Sequence, residues 1–270
     1  MLGVARSGYY KYCNRQPGKR QKENEVLLQT IRTIFKMSRQ TYGSPRIHAE
    51  LIAQGFNCSR PRVARIMRQE EIVAKMRRLF KKTTRVDGRR AVAPNLLQQE
   101  FSALVPNQKW VADITYVRTQ EGWLYVAIVL DLFSRKVIGL AMGESLHAAL
   151  VLQAMNQALQ RRRPKGSLQH HSDRGCQYTG ELFQQLLIEN GITCSMSGTG
   201  NCYDNAVAES FFHTLKTECV HFERYESRKQ AMQSIFEYVE VFYNNQRRHS
   251  TLGYASPVEF ERHFNQPPCS

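Results

Sequence analysis

The chain has 270 residues, 42% of them hydrophobic, with 38 Lys and Arg against 23 Asp and Glu, a formal net charge of +15. That apolar share excludes disorder throughout, and the length allows one or two domains with a real core. The longest apolar run, Leu124 to Leu130, is far short of the ~20 residues that cross a bilayer, and no charged-then-apolar start resembles a signal peptide. A secreted or membrane protein is excluded on these grounds, and a cytoplasmic one is expected.

The charge is segregated. Residues 1–100 hold 22 Lys and Arg and 7 Asp and Glu, the whole excess, whereas residues 101–270 balance at 16 of each. A basic module joined to a neutral one points to a polyanion-binding part and a part with another task. The division expected is a helical DNA-binding region over 1–74, a basic linker over 75–100, a catalytic core over 101–265 and a short tail over 266–270.

In the basic third, Glu25–Met37 carries Val26, Leu27, Leu28, Ile31, Ile34 and Phe35 at helical spacing. Tyr42-Gly43 breaks this period, and Ser44-Pro45 reads as an N-cap with Pro at the first helical position, opening a helix over Arg46–Gln54 that Gly55 stops. Ser59 caps a third helix running to about Gln69, with Val63, Ile66 and Met67 inward and Arg60, Arg62, Arg65 and Arg68 outward. Two short helices around a Gly-containing turn, the second rich in Arg, suit a helix-turn-helix entering a DNA major groove. The alternative is a plain three-helix bundle with solvated arginines.

Beyond it, Lys75–Arg90 includes Arg77, Arg78, Lys81 and Lys82 among few apolar residues, an arm suited to phosphate contacts. The opening Leu2–Tyr10 reads as the back half of another small helical unit without its front, so the chain is expected to start inside a longer reading unit. Seven cysteines form no CxxC pair, which fits a reducing compartment and gives no zinc site.

From Trp110 the texture changes. Lys109–Arg118, Gly122–Leu132 and Arg135–Met142 are rich in Val, Ile, Tyr and Trp and predict three antiparallel strands. Helix is expected over His147–Arg161, strand over Leu168–Ser172, helix over Thr179–Asn190 and strand over Ile192–Met196. Helices over Asn205–Glu218 and Ser227–Asn244 complete the series. The order β-β-β-α-β-α-β-α predicts an α/β fold, a mixed sheet flanked by helices.

Three acids are placed with purpose. Asp113 interrupts an apolar strand, where an ionised group is costly unless it is paired or bound to a cation. Asp173 ends the fourth strand, and Glu209 lies in the helix from Asn205, where Asn205, Glu209, His213 and Lys216 fall on one polar stripe. Three such carboxylates could converge on two Mg²⁺ ions roughly 4 Å apart, which activate an attacking oxygen and stabilise a leaving one in phosphoryl transfer. Mg²⁺ wants hard oxygen ligands and few protein ones, so three acids with water and phosphate suffice, and Mn²⁺ could take its place. Asp131 is the rival for the first position; it reads as structural, paired to Arg135 across a turn.

With these residues in view, the chain closely resembles the OrfB transposases of the insertion-sequence three (IS-three) family, DDE transposases related to retroviral integrases. The likeness is carried by Trp110-Val111-Ala112-Asp113-Ile114-Thr115-Tyr116, by Asp131-Leu132-Phe133-Ser134-Arg135 and by His171-Ser172-Asp173-Arg174-Gly175-Cys176-Gln177-Tyr178. It continues in Ser195-Met196-Ser197, Asp204-Asn205-Ala206, Glu209-Ser210-Phe211-Phe212, Leu215-Lys216 and the tail Tyr243-Asn244-Asn245-Gln246-Arg247-Arg248-His249-Ser250 with Ser256-Pro257. Asp173 and Glu209 are separated by 35 residues, the spacing that names this subgroup.

The resemblance implies an RNase H-like core, Asp113, Asp173 and Glu209 as metal ligands, and Lys216 as a DNA contact near the cleaved end, with Trp110, Asn205 and His213 in support. It also implies the helix-turn-helix over Arg46–Arg68 and a mobile loop around Ser197–Gly200. The partners it implies are double-stranded DNA at the element's inverted repeats and at the target, an upstream-frame OrfA product as fusion or partner, and further copies of the chain on DNA. The expected location is the bacterial nucleoid. The activity expected is Mg²⁺-dependent DNA cleavage and strand transfer; the alternatives are a catalytically silent DNA-binding regulator and an RNase H-type nuclease.

Overall fold

The computed structural model describes residues 6, 7, 10, 18–75, 93–198 and 202–266. The chain divides into two compact units, Met1–Lys75 and Met76–Ser270.

Among the described residues, 18–75 of the first unit form the helices α1 (Lys19–Met37), α2 (Ser44–Ala53) and α3 (Arg60–Gln69). Leu27, Ile31 and Ile34 of α1, Ile47 and Leu51 of α2, and Val63, Ile66 and Met67 of α3 are buried together with Tyr42. The stripe anticipated for α3 therefore faces inward, whereas of the one anticipated for α1 Leu27, Ile31 and Ile34 are buried and Val26 is exposed. Gly43, not Ser44, is the N-cap of α2, which moves Pro45 one position into the first turn, where its missing N–H still costs nothing. Ser59 caps α3 as expected, accepting from the Arg62 N–H. Gly55 sits at φ 85° after α2, a backbone conformation that favours glycine.

The second unit is built on five strands, β1 (Lys109–Thr119), β2 (Gly122–Asp131), β3 (Val137–Gly143), β4 (Leu168–Ser172) and β5 (Ile192–Met196), in the order β3-β2-β1-β4-β5. β1, β2 and β3 form an antiparallel meander, and β4 and β5 run parallel to β1. The fold class is the α/β mixed sheet expected, preceded by an all-α region.

Helix α4 (Ala148–Arg162) lies over β2 and β3. Here Ala127, Val129, Ile138 and Ala141 of the strands meet Leu150, Val151, Ala154, Met155 and Ala158 of the helix. The approach is close enough that a Cβ on Gly139 would stand within 2.1 Å of the Ala154 carbonyl oxygen.

The helix expected over Thr179–Asn190 starts two residues later, as α6 (Glu181–Glu189), and a short turn α5 (Cys176–Thr179) not anticipated precedes it. Gly180 between them is extended, with ψ near 144°, and breaks the run. Then come α7 (Ala206–Glu218) and α8 (Arg228–Phe236), the latter continuing as a π-helical stretch over Glu237–Tyr243. A final helix not anticipated, α9 (Pro257–Asn265), starts on a capping box in which Ser256 and Glu259 satisfy each other's backbone N–H groups.

Candidate active site

The site forms where the sheet's hydrogen bonding divides. β4 pairs with β1 only from Lys109 to Val111, so pairing on that side of β1 stops short of Asp113. Asp113 sits on β1 just past this fork, and Asp173 follows the last residue of β4. Two carboxylates are thus set on adjacent parallel strands without any contact between them in sequence.

Local bonds orient each one. An Asp113 Oδ1 accepts the Ile114 N–H at 2.8 Å, and an Asp173 Oδ1 accepts the Gly175 N–H at 3.0 Å. A Cβ on Gly175 would stand 3.0 Å from that same Asp173 oxygen, so glycine leaves the carboxylate its place.

The third acid arrives on α7. Asn205, buried at the N-terminus of this helix, donates its Nδ2 to the Ala112 carbonyl at 3.1 Å and so pins α7 to β1 beside Asp113. Its neighbour Asp204 accepts the Gly198 N–H at 2.7 Å and the Gln99 amide at 3.2 Å, fixing the chain on the approach to the helix. Glu209 lies one turn beyond Asn205, at the exposed rim. Lys216, two turns further, holds its Nζ 5.3 Å from the centre of the Tyr116 ring.

The electrostatics of this arrangement are those of crowded like charges. Burial, then Asp173, then Glu209 push the Asp113 carboxyl up to about 8, while the Ile114 N–H and Lys216 act in the opposite direction. Burial also raises Asp173 and Glu209, and it lowers Lys216 against the pull of Tyr116 and Asp113.

In the unfolded chain Asp113 ionises near pH 4. Between there and about 8 the folded, metal-free protein holds the extra proton, so stability falls as pH rises. Asp113→Asn removes this penalty and keeps an acceptor for Ile114. Its melting temperature in chelator should match wild type near pH 4 and exceed it by a margin that widens toward pH 8. Parallel melting curves across that range check it; a constant offset contradicts it.

The remaining candidates are distributed more widely. Trp110 is fully buried in the core between sheet and α4. His213 is exposed on α7. Arg60, Arg65 and Arg68 are exposed on α3, but Arg62 is turned onto α1, donating to Asn24 at 2.9 Å and pairing with Glu23 at 3.2 Å. Arg77, Arg78, Lys81 and Lys82 lie outside the described residues, as do Thr199 and Gly200 of the anticipated loop and most of Leu2–Tyr10.

Asp131 is fully buried, yet its partner is not Arg135. It accepts the N–H groups of Asn107 and Phe133 at 2.9 and 3.0 Å and lies 3.6 Å from Arg162. Arg135 adopts φ 60° and donates to the Phe101 carbonyl instead, so the expected pairing across the turn does not form.

Sequence reasoning missed a second network behind the acids. His171, next to Asp173's strand end, bridges Ser195 at 2.8 Å and Ser197 at 3.2 Å, and burial lowers it to about 4, which keeps it neutral near pH 7. Arg174 donates to the Ser197 carbonyl at 2.5 Å. These bonds tie the end of β4 to the end of β5, and the polar residues His171, Ser195 and Ser197 were its only signal.

The donor set fits a hard divalent cation: three carboxylates, whose oxygens suit Mg²⁺ better than thiolate or imidazole would. Among the described residues no three His, Cys, Asp or Glu side chains are already gathered into a cage.

Comparison with known proteins completes the assignment. Family models described as "Integrase core domain" match residues 104–202 and 209–264, and one described as "HTH-like domain" matches residues 21–80. The chain is 43% identical over 263 residues to Transposase InsF for insertion sequence IS3A of Escherichia coli (strain K12), covering 97% of this chain and 91% of that protein. It is also 43% identical over 266 residues to the Insertion element IS600 uncharacterized 31 kDa protein of Shigella sonnei, covering 98% of each. In fold it is similar to a chain of the simian T-cell lymphotropic virus intasome in complex with PP2A regulatory subunit B56 gamma, with a TM-score of 0.51 at 13% identity over 88% of this chain and 76% of that one. An acid-bearing integrase core and a helix-turn-helix-like region, together with identity at this level along nearly the whole length, place the chain in the IS3 family of transposases, as a DNA transposase of the DDE type.

Proposed function

We propose that Asp113, Asp173 and Glu209 hold a pair of Mg²⁺ ions, with Mn²⁺ able to replace them, and that the chain cuts the ends of its element and joins them to a target. The observation that carries this reading is Asp113 itself, half-buried, pressed by both other acids and faced by Lys216. When bound, such ions activate the attacking oxygen and stabilise the leaving one.

The chain's own residues supply the rest. Asn205 and Gly175 hold the acids in position, and Lys216 brings a positive charge to the phosphate beside them. The exposed Arg60, Arg65 and Arg68 of α3 serve the inverted repeats, with the basic arm of Arg77, Arg78, Lys81 and Lys82 on phosphates. The domain limits near 75 and 100 follow from the same division of labour. Two element ends must be joined in one event, which favours several copies of the chain on DNA. An upstream-frame OrfA segment fits as fusion or partner, with the nucleoid as the place of action. No helix among the described residues is long and apolar enough to cross a membrane.

The test is a single-turnover assay with labelled element-end duplex and Mg²⁺. Metal-dependent release of a 3′-hydroxyl end followed by strand transfer supports the reading; binding without cleavage supports a silent regulator.

Binding to the same duplex separates the arginines. Arg65→Ala should weaken specific binding by ~1–3 kcal/mol if it reads a base, or lower the salt slope by about 1 if it meets a phosphate. Arg62→Ala should instead lower the melting temperature of the first unit, because it loses its bonds to Glu23 and Asn24. Equal effects of the two variants on both readouts would contradict the division drawn here.

A further inference from the structure

The cover that α4 provides does not extend along the whole sheet. In the β1–β2 register Tyr116 lies opposite Tyr125 and Arg118 opposite Trp123, so these four side chains share one face toward the hairpin tip. Near the fork that face is buried under α4, but toward the tip Tyr116 is 43% and Trp123 44% exposed. The two rings meet edge to face with centroids 5.0 Å apart.

Two cations attend the pair. Lys216 holds its Nζ 5.3 Å from the centre of Tyr116, and the Arg118 guanidinium lies 6.0 Å from that of Trp123. No described acid forms an ion pair with either cation. Tyr116 is three residues from Asp113, about 10 Å along the strand and on the opposite face, and Lys216, which faces Asp113 and stands over the Tyr116 ring, links the two where β4 no longer pairs with β1.

We propose that Tyr116 and Trp123 form a stacking platform for unpaired nucleobases next to the phosphate that is cut, with Lys216 and Arg118 neutralising the flanking phosphates. This rests on the reading of the acid cluster as a DNA-cutting site. Exposed aromatic faces bordered by cations match a single strand, which offers π-faces and phosphates in alternation and stacks with little regard to sequence. A cross-strand aromatic pair that only braced the hairpin would not require both rings to be half in water with a cation over each. For an apolar protein partner, those two charges would be costly to bury. The platform gives the core a means of holding a frayed end open beside the acids.

The chain has two tryptophans. Trp110 is fully buried, so a change in emission on adding nucleic acid reports Trp123. The full-length protein is titrated at low salt with a 12-nucleotide dT strand and with a duplex of the same length. A saturable change in emission with the single strand is expected. Read by the anisotropy of an end-labelled dT strand, Tyr116→Ala and Trp123→Ala should each weaken binding to it roughly tenfold, while Trp123→Phe keeps binding within about threefold. All three should melt close to wild type, since the rings are half exposed.

Unchanged emission at saturating dT overturns the proposal, and so do alanine variants that melt and bind the single strand as wild type does. Alanine variants that change the sedimenting species but not single-strand binding overturn it too, by assigning the face to another copy of the chain. Cleavage by Asp113→Asn, run alongside, keeps the two readings apart. If that variant cuts normally, the metal reading fails while the emission data still decide the platform.

Discussion

Asp113→Asn, Asp173→Asn and Glu209→Gln should each abolish Mg²⁺-dependent cleavage and strand transfer together, by at least about 10³-fold, because each removes a hard anionic ligand from the ions that charge both oxygens of the displacement. Shape is kept in all three, so fold and duplex binding should survive. For Asp113 and Asp173 the amide oxygen can still accept the N–H of Ile114 or Gly175. Asp131→Asn is the control. Its carboxylate accepts two backbone N–H groups and faces Arg162 in the interior. It should lower thermal stability while the folded fraction cuts at the normal rate. Circular dichroism, duplex binding and cleavage on the four variants decide the matter. A stable, inactive Asp131→Asn beside an active Asp113→Asn would reverse the assignment.

The second large effect lies away from the acids, in the clasp that holds α7. Arg247 grips Glu218, near the end of α7, with two bonds of 2.7 and 2.6 Å, and Tyr238 donates to the same carboxylate at 2.8 Å. Both partners are under a tenth exposed. Removing one leaves the other charged and buried, so Arg247→Met should cost about 3–5 kcal/mol. The double variant with Glu218→Leu should recover most of that loss, because no uncompensated charge remains. Denaturant unfolding of the single and double variants reads this directly. Equal losses in both would mean that packing, not charge, sets the cost. Since α7 carries Glu209 and Lys216, the clasp also explains how a tail segment far from the acids keeps the site assembled. Asn244 extends the tie, bonding the N–H and carbonyl of Val137 on β3 at 3.0 and 2.9 Å.

Much of this architecture was legible in the sequence because periodicity and punctuation agreed. Ser59 before an apolar-periodic run gave α3 its start, and the wealth of Val, Ile, Tyr and Trp from Lys109 to Leu132 gave the first two strands. An acid in the middle of an apolar strand marked Asp113, since nothing else explains an ionisable group there. What was not legible depended on partners distant in sequence. The Asp131–Arg135 pairing was inferred from proximity in the chain, but Arg162, on α4, is nearer the carboxylate. Arg62 has the spacing of a DNA-reading residue, yet Asn24 and Glu23 are within reach across the bundle. The π-helical stretch after Phe236 leaves no mark in a pattern of period 3.6. The start of α9 is signalled too, since Ser256 followed three residues later by Glu259 is a capping box, but Ser256-Pro257 entered the reading only as part of the family likeness.

The central claim is that Asp113, Asp173 and Glu209 hold the divalent ions. Calorimetric titration of the full chain with Mn²⁺, in the absence of DNA, tests it most directly. Wild type and folded Asp131→Asn should bind alike, whereas each of the three acid variants should bind at least about tenfold more weakly. Binding at pH 7 should release a proton from Asp113, seen as a dependence of the apparent heat on the buffer's ionisation enthalpy, and Asp113→Asn should lose that dependence. Undiminished Mn²⁺ binding by the folded Asp113→Asn variant, or its loss in folded Asp131→Asn, would contradict the account.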